Sequence, residues 1–157
     1  MPDRLYRTDQ YIRVHSVETF GTHDGPGIRL VIFVQGCQFR CLYCANPDTI
    51  PVKGGELVPV DEIVKTAERQ RPYFGNRGGV TISGGEPLLQ RKALIPLFDR
   101  LRALGIHTAL DTNGRLLDRT VMELLKRTDL LLLDVKHIDN EWHQKLTSIP
   151  NDEVLRI

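Results

Sequence analysis

Four stretches of strand length, each apolar and each running into a polar turn, constrain this chain more than any other feature. They are residues 28–34 (IRLVIFV), 79–83 (GVTIS), 107–110 (HTAL) and 129–135 (DLLLLDV). The first is continuously apolar, as in a strand covered on both faces. Segments with helical spacing lie between them. Residues 58–71 open with Asp61 and Glu62 in the first turn. Residues 88–104 carry Leu94, Leu97, Phe98, Leu101 and Leu104 on one stripe, with a bend expected at Pro96 and a cap at Gly105. Residues 116–127 and 140–147 complete the set. Strand–helix units in regular succession predict a parallel α/β sheet with right-handed crossovers.

Ahead of these units, residues 1–11 read as a loose polar arm and 11–20 as an extended segment. Residues 21–27 (GTHDGPG) form a turn-making run whose glycines allow close backbone approach, and its position before the first buried strand predicts that it lines the same site as the loop that follows. Residues 46–55 are predicted to be loop.

All three cysteines of the chain, Cys37, Cys41 and Cys44, fall within eight residues directly after the first buried strand. Near neighbours on one loop make poor disulfides, and an odd thiol is left over. The same crowding suits a soft metal centre. Zinc and cubane iron–sulfur clusters take four ligands, so three thiolates leave one position for a substrate or cofactor. A structural zinc site completed by His15, His23, His107, His137 or His143 is the rival reading, but none of these lies within a few residues of the cysteines.

The 157 residues suffice for one domain with a sizeable core, and 1–157 is read as a single domain. With 21 basic against 20 acidic residues, charge gives no reason to expect a nucleic-acid or membrane partner. The start has no signal-peptide pattern, no apolar run reaches spanning length, and free cysteines point to the reducing cytosol. Each predicted strand ends in an equipped loop: the cysteines, then Gly84-Gly85-Glu86, then Asp111-Thr112, then Asp134 and Lys136. Any one alone is ordinary turn or cap chemistry. Four in register predict a site at the carboxyl edge of the sheet.

These residues carry a family resemblance. The C-x₃-C-x₂-C loop with Tyr43 before its last cysteine, followed by residues 83–87 (SGGEP), resembles the radical S-adenosylmethionine enzymes. Residues 24–29 (DGPGIR), 33–37 (FVQGC), 46–49 (NPDT), 111–114 (DTNG) and 133–136 (LDVK) extend it to the glycyl-radical enzyme activases, of the pyruvate formate-lyase activating type. The resemblance implies a partial (β/α) barrel with about four βα units present of an expected six. It also implies a [4Fe–4S] cluster on Cys37, Cys41 and Cys44, whose open iron takes S-adenosylmethionine and splits it reductively to a 5′-deoxyadenosyl radical. The radical then removes the α-hydrogen of a glycine in a partner enzyme.

By the same resemblance, Tyr43, Cys44 and Ala45 contact the adenosine, and the backbone of Gly84 and Gly85, with Glu86, meets the methionyl amino group. Asp134, Val135 and Lys136 lie near the cofactor. Asp111, Thr112, Asp134 and the Leu132 carbonyl hold a monovalent cation, sodium or potassium, and Asp24 contacts the substrate peptide. Pyruvate formate-lyase is the implied partner, a flavodoxin or ferredoxin the implied electron donor, and a monomer the implied state. Ala45 departs from a position where close relatives often carry histidine. The chain also stops where family members add two further strand–helix units, so it reads as C-terminally truncated, weakly active and poorly stable. The alternatives are an anaerobic ribonucleotide reductase activase, a zinc module and an inert fragment that keeps the cluster loop.

Overall fold

The four apolar runs pair with one another in chain order. In the computed structural model, which describes residues 9–157, they are β2 (Arg29–Val34), β4 (Gly79–Gly84), β5 (His107–Thr112) and β6 (Leu130–Leu133). All are parallel, with Arg29 opposite Gly79, Gly79 opposite His107, and Ala109 opposite Leu130. Parallel pairing brings their carboxyl ends to one edge. The connections carry α1 (Val60–Phe74), α2 (Arg91–Ala103) and α3 (Arg119–Leu125), and α4 (Asn140–Thr147) follows β6.

The sheet is mixed rather than wholly parallel. β1 (Tyr11–Gly21) runs antiparallel to β2, and β3 (Glu56–Pro59) antiparallel to β1, giving the order β3-β1-β2-β4-β5-β6. The extended segment at 11–20 was anticipated without a partner. β3 was not anticipated, because Val58 and Pro59 read as the start of the following helix. Pairing with Tyr11 and Ile12 holds these residues extended instead, and Pro59 sits on an outer strand where its missing N–H costs little. The arm predicted at 1–11 lies outside the described residues up to Asp9, and its last residue, Tyr11, begins β1.

Alternation along the strands divides the core. Leu30, Ile32, Val34, Val80, Ile82 and Leu110 face the helices, where Ile63, Val64, Leu94, Leu97, Phe98, Leu101, Val121 and Leu124 meet them. Each such side chain contributes about 1.5–3 kcal/mol when fully buried. α4 keeps its predicted bounds and α1 runs three residues further than expected, whereas α2 and α3 are shorter than predicted. Residues 87–90 form a 3₁₀ turn before α2, and α3 starts at Arg119 because the Asp118 carboxylate caps it by accepting from Val121 N–H at 2.8 Å.

The opposite face is partly closed by the glycine-rich run at 21–27. Thr81 Oγ1 donates to the Asp24 carbonyl at 2.7 Å. The buried Arg29 guanidinium donates to Thr81 Oγ1, the Pro26 carbonyl and the Val80 carbonyl. Burial lowers the Arg29 pKa to about 10, with Asp24 and Asp129 opposing the shift. The close approach that glycine permits here is to the chain itself: a Cβ on Gly27 would stand 2.4 Å from Gly78 N.

Candidate active site

The cysteine loop hangs from two supports. Behind it, Gly36 N–H donates to the Thr49 carbonyl at 2.7 Å and Cys37 N–H to the Ile50 carbonyl at 3.0 Å. In front, Arg40 and Leu42 donate their N–H groups to the Thr147 and Leu146 carbonyls at the end of α4, both at 2.9 Å. The Arg40 guanidinium folds back onto the carbonyls of Cys37 and Phe39, at 2.9 and 2.8 Å. Phe39 is enclosed and meets the His143 ring edge-on, 5.5 Å between centroids. A loop with no regular structure is thereby held behind by carbonyls of the segment that follows it and in front by groups more than a hundred residues away in sequence.

The three thiols line one cavity of about 290 Å³ at the carboxyl edge of the sheet. Ser83, Gly84 and Gly85 come to it from the end of β4, Asp111 to Asn113 from β5, and Asp134 and Lys136 from beyond β6. Burial pushes the Cys37 thiol up to about 11, opposed by a hydrogen bond from the Phe39 backbone and reinforced by Glu86 and the other two cysteines. Burial also raises Cys41, with Lys136 opposing. Both shifts favour the neutral thiol at Cys37 and Cys41, and binding a metal centre displaces those protons.

Gly84 and Gly85 line the cavity, but their missing side chains serve the crossing of two backbones. A Cβ on Gly84 would lie 2.5 Å from Val34 N, and one on Gly85 would lie 2.2 Å from the Gly36 carbonyl oxygen. Gly84 also has φ +101°, a conformation costly for other residues. Glu86 does not line the cavity. It is fully enclosed, and its carboxylate accepts from Leu88 N–H (2.9 Å), Thr112 Oγ1 (2.5 Å) and Asn113 N–H (2.9 Å). Burial raises its pKa to about 7 against the pull of these three donors. Glu86 is thus a brace that ties the β4 loop to the β5 loop.

On the far side, Asp111 accepts from Ser83 Oγ at 2.8 Å. Burial raises its pKa; the Ser83 bond opposes this, while Asp134 and Asp24 add to it. Asp134 pairs with Lys136. Burial would lower the Lys136 pKa, but the hydrogen bond and charge of Asp134 outweigh it and the net shift is upward. The Lys136 ammonium lies 5.6 Å from the centre of the half-exposed Tyr43 ring.

Most of the expected residues therefore converge: the cysteines, Tyr43, Ala45, Gly84, Gly85, Asp111, Thr112, Asp134 and Lys136 all line the cavity. Thr112 turns its hydroxyl to Glu86, and its carbonyl accepts from Asp134 N–H at 2.9 Å. Leu132, Val135, Asp24 and the rest of the 21–27 loop are not among the lining residues, although the Asp24 charge is felt at Asp111. Ser83, Asn46, Thr49, Ile50, Phe39 and Asn113 line the cavity with no role assigned from the sequence. Ser83, Asn113, Asn46 and Thr49 stood inside quoted motifs, which was the available signal; Phe39 and Ile50 are placed only by how the loop folds back.

A family model described as the Radical SAM superfamily matches residues 31–157, and so spans the cysteine loop and all four parallel strands from Val31 onward. The chain belongs to the radical SAM superfamily. It is 50% identical over 91% of its length to the pyruvate formate-lyase-activating enzyme of Staphylococcus epidermidis, and 50% identical over 90% to that of Staphylococcus aureus strain USA300. It spans 60% of the length of each of those relatives. In fold it is similar to Streptococcus suis SuiB bound to the precursor peptide SuiA, with TM-score 0.64 and 22% identity over 80% of this chain and 28% of that one.

The thiols of this radical SAM chain fit the cluster its family implies. Among the described residues no group of three cysteine, histidine or acidic side chains is drawn tight enough for a single metal ion. What fits is the chemistry of the donor set: three soft thiols line one cavity, and thiolates are the donors an iron–sulfur cluster takes. No helix among the described residues is long and apolar enough to cross a membrane.

Proposed function

We propose that this chain belongs to a glycyl-radical enzyme activase of the pyruvate formate-lyase type, an oxidoreductase. The observation that carries the proposal is the meeting of Cys37, Cys41 and Cys44 with Gly84, Gly85, Asp111, Asp134 and Lys136 on one cavity. The 50% identity to activating enzymes supports the choice of activase over the ribonucleotide reductase type. Cys37, Cys41 and Cys44 would hold a [4Fe–4S] cluster, which when bound would supply the one-electron reduction of S-adenosylmethionine that starts radical chemistry at a glycine of the partner.

The chain's own residues bind and orient. Gly84 and Gly85 offer backbone at the cavity wall to the methionyl amino group. Tyr43, Cys44 and Ala45 offer a flat, partly apolar flank to the adenosine. Lys136 holds positive charge beside the cofactor carboxylate, and Asp111 and Asp134 present hard oxygens to a monovalent cation that offsets their crowding. Asp24, which bonds the sheet only through its backbone, keeps its carboxylate for the partner peptide. Pyruvate formate-lyase is the partner proposed, with a flavodoxin or ferredoxin as reductant, in a reducing compartment where three free thiols persist.

Anaerobic reconstitution tests this. Brown protein with close to four irons per chain, whose reduced electron paramagnetic resonance signal changes when S-adenosylmethionine is added, is the expected result. Colourless protein that takes up zinc, or a cluster indifferent to the cofactor, overturns it.

A further inference from the structure

Asn113 touches a cluster thiol, and its carboxamide is oriented from three sides. Its backbone N–H donates to Glu86 Oε2 at 2.9 Å, which fixes the turn that carries the side chain. Its side-chain oxygen accepts from Arg115 N–H at 3.1 Å, closing an Asx turn, and from Gln38 Nε2 at 3.5 Å. With the oxygen committed to two donors, the amide nitrogen is the end left to face Cys37, and Nδ2 stands 3.9 Å from Cys37 Sγ. The side chain is 7% exposed, so water does not compete freely for this contact. Among the described residues, no side-chain hydrogen bond to Cys41 or Cys44 accompanies this one; Cys41 has the opposed charges of Lys136 and Asp134 nearby.

We infer that Asn113 is a tuning residue for the cluster, its Nδ2–H donating to the Cys37 thiolate and making reduction easier. The inference rests on the cluster reading above. Reduction adds negative charge that spreads onto the thiolate sulfurs, and an N–H aimed at one of them stabilises the reduced state more than the oxidised state. Glu86 acts through the same residue. By holding Asn113 N–H, it keeps the turn at the height of Cys37, which gives a fully enclosed carboxylate a purpose beyond joining two loops.

The test is the midpoint potential of the reconstituted protein, followed by electron paramagnetic resonance. Asn113→Ser keeps a side-chain oxygen for the turn but no longer reaches the sulfur. It should make reduction about tenfold less favourable, which for a one-electron couple is about 59 mV more negative. Asn113→Asp keeps shape and turn while replacing the donor with a charge, and should shift further in the same direction. Loss of packing alone would change melting temperature without this ordered pair of shifts. If the unsubstituted protein loads a cluster and both variants reduce within twofold of it, or shift positive, the inference is wrong. If the unsubstituted protein loads no cluster, it is the activase reading that fails. Should neither variant load, unsubstituted protein carrying ¹⁵N only at asparagine side-chain amides decides: a ¹⁵N coupling to the reduced cluster supports the inference, and its absence overturns it.

Discussion

On one side of the cavity Glu86, fully enclosed, commits its carboxylate to Thr112, Asn113 and Leu88, so the wall between the β4 and β5 loops is part of the core. On the other side Asp134 and Lys136 pair across two residues just beyond β6, where Leu131 and Leu133 are more than a third exposed. Both walls carry charge at the same edge of the same sheet. The first cannot lose a partner without stranding a buried polar group; the second can, because water replaces what is lost. Fold and chemistry are fused on the Glu86 side and separable on the Asp134 side.

The strongest way to break that contrast begins at its centre. Cys37→Ala, Cys41→Ala and Cys44→Ala should each reduce iron content after reconstitution to background; cluster retained by any of them removes that residue from the ligand set. Glu86→Gln comes next. Its amide would face at least one N–H or O–H donor, so it should cost about 1–3 kcal/mol in denaturant unfolding. An unchanged midpoint would mean the brace is decorative.

The same carboxylate gives a pH signature. Its folded pKa is raised to about 7 from 4.5, so the folded state holds a proton that the unfolded state has released. Its contribution to stability is then complete below about 4.5, declines as pH rises through 7, and is flat above. Unfolding of the unsubstituted protein and the glutamine variant, compared between pH 5 and pH 8, should show a gap that narrows with rising pH; a gap that widens contradicts the assignment.

On the exposed wall the effects should separate. Asp134→Ala should change stability by less than about 1 kcal/mol. It should still weaken S-adenosylmethionine binding about tenfold, or about 1.4 kcal/mol, in calorimetry on cluster-loaded protein. Equal losses in both measurements would show that this wall, too, is structural. Tyr43→Leu is the smallest change. It removes a ring worth about 0.5–1 kcal/mol to a nearby cation, so affinity should fall less than about fivefold.

Much of this was legible in the sequence because the signals were local. A run such as 28–34 declares a doubly covered strand by composition, and three thiols in eight residues reach one cavity by spacing alone. β3 was not legible, since Val58 and Pro59 suit a helix start equally well until β1 lies beside them. Glu86 misled for a related reason. Within its motif it reads as a polar residue at a site, and only the arrival of Thr112 and Asn113 from the next strand turns it inward. The glycine pair was read as backbone meeting a cofactor, whereas the close approaches the structure shows are to the backbone of Val34 and Gly36.

From its order of residues alone, the chain was committed to parallel strands with polar ends at one edge and to three thiols on the loop after the first of them. Periodicity and spacing are properties of neighbours and survive without a fold. Which polar groups reach the cavity and which brace it depended on partners 26 to 76 positions away, as Thr112 is from Glu86 and Asn113 from Cys37. A carboxylate is a ligand or a strut according to the donors around it, and only the closed sheet brings those donors within reach.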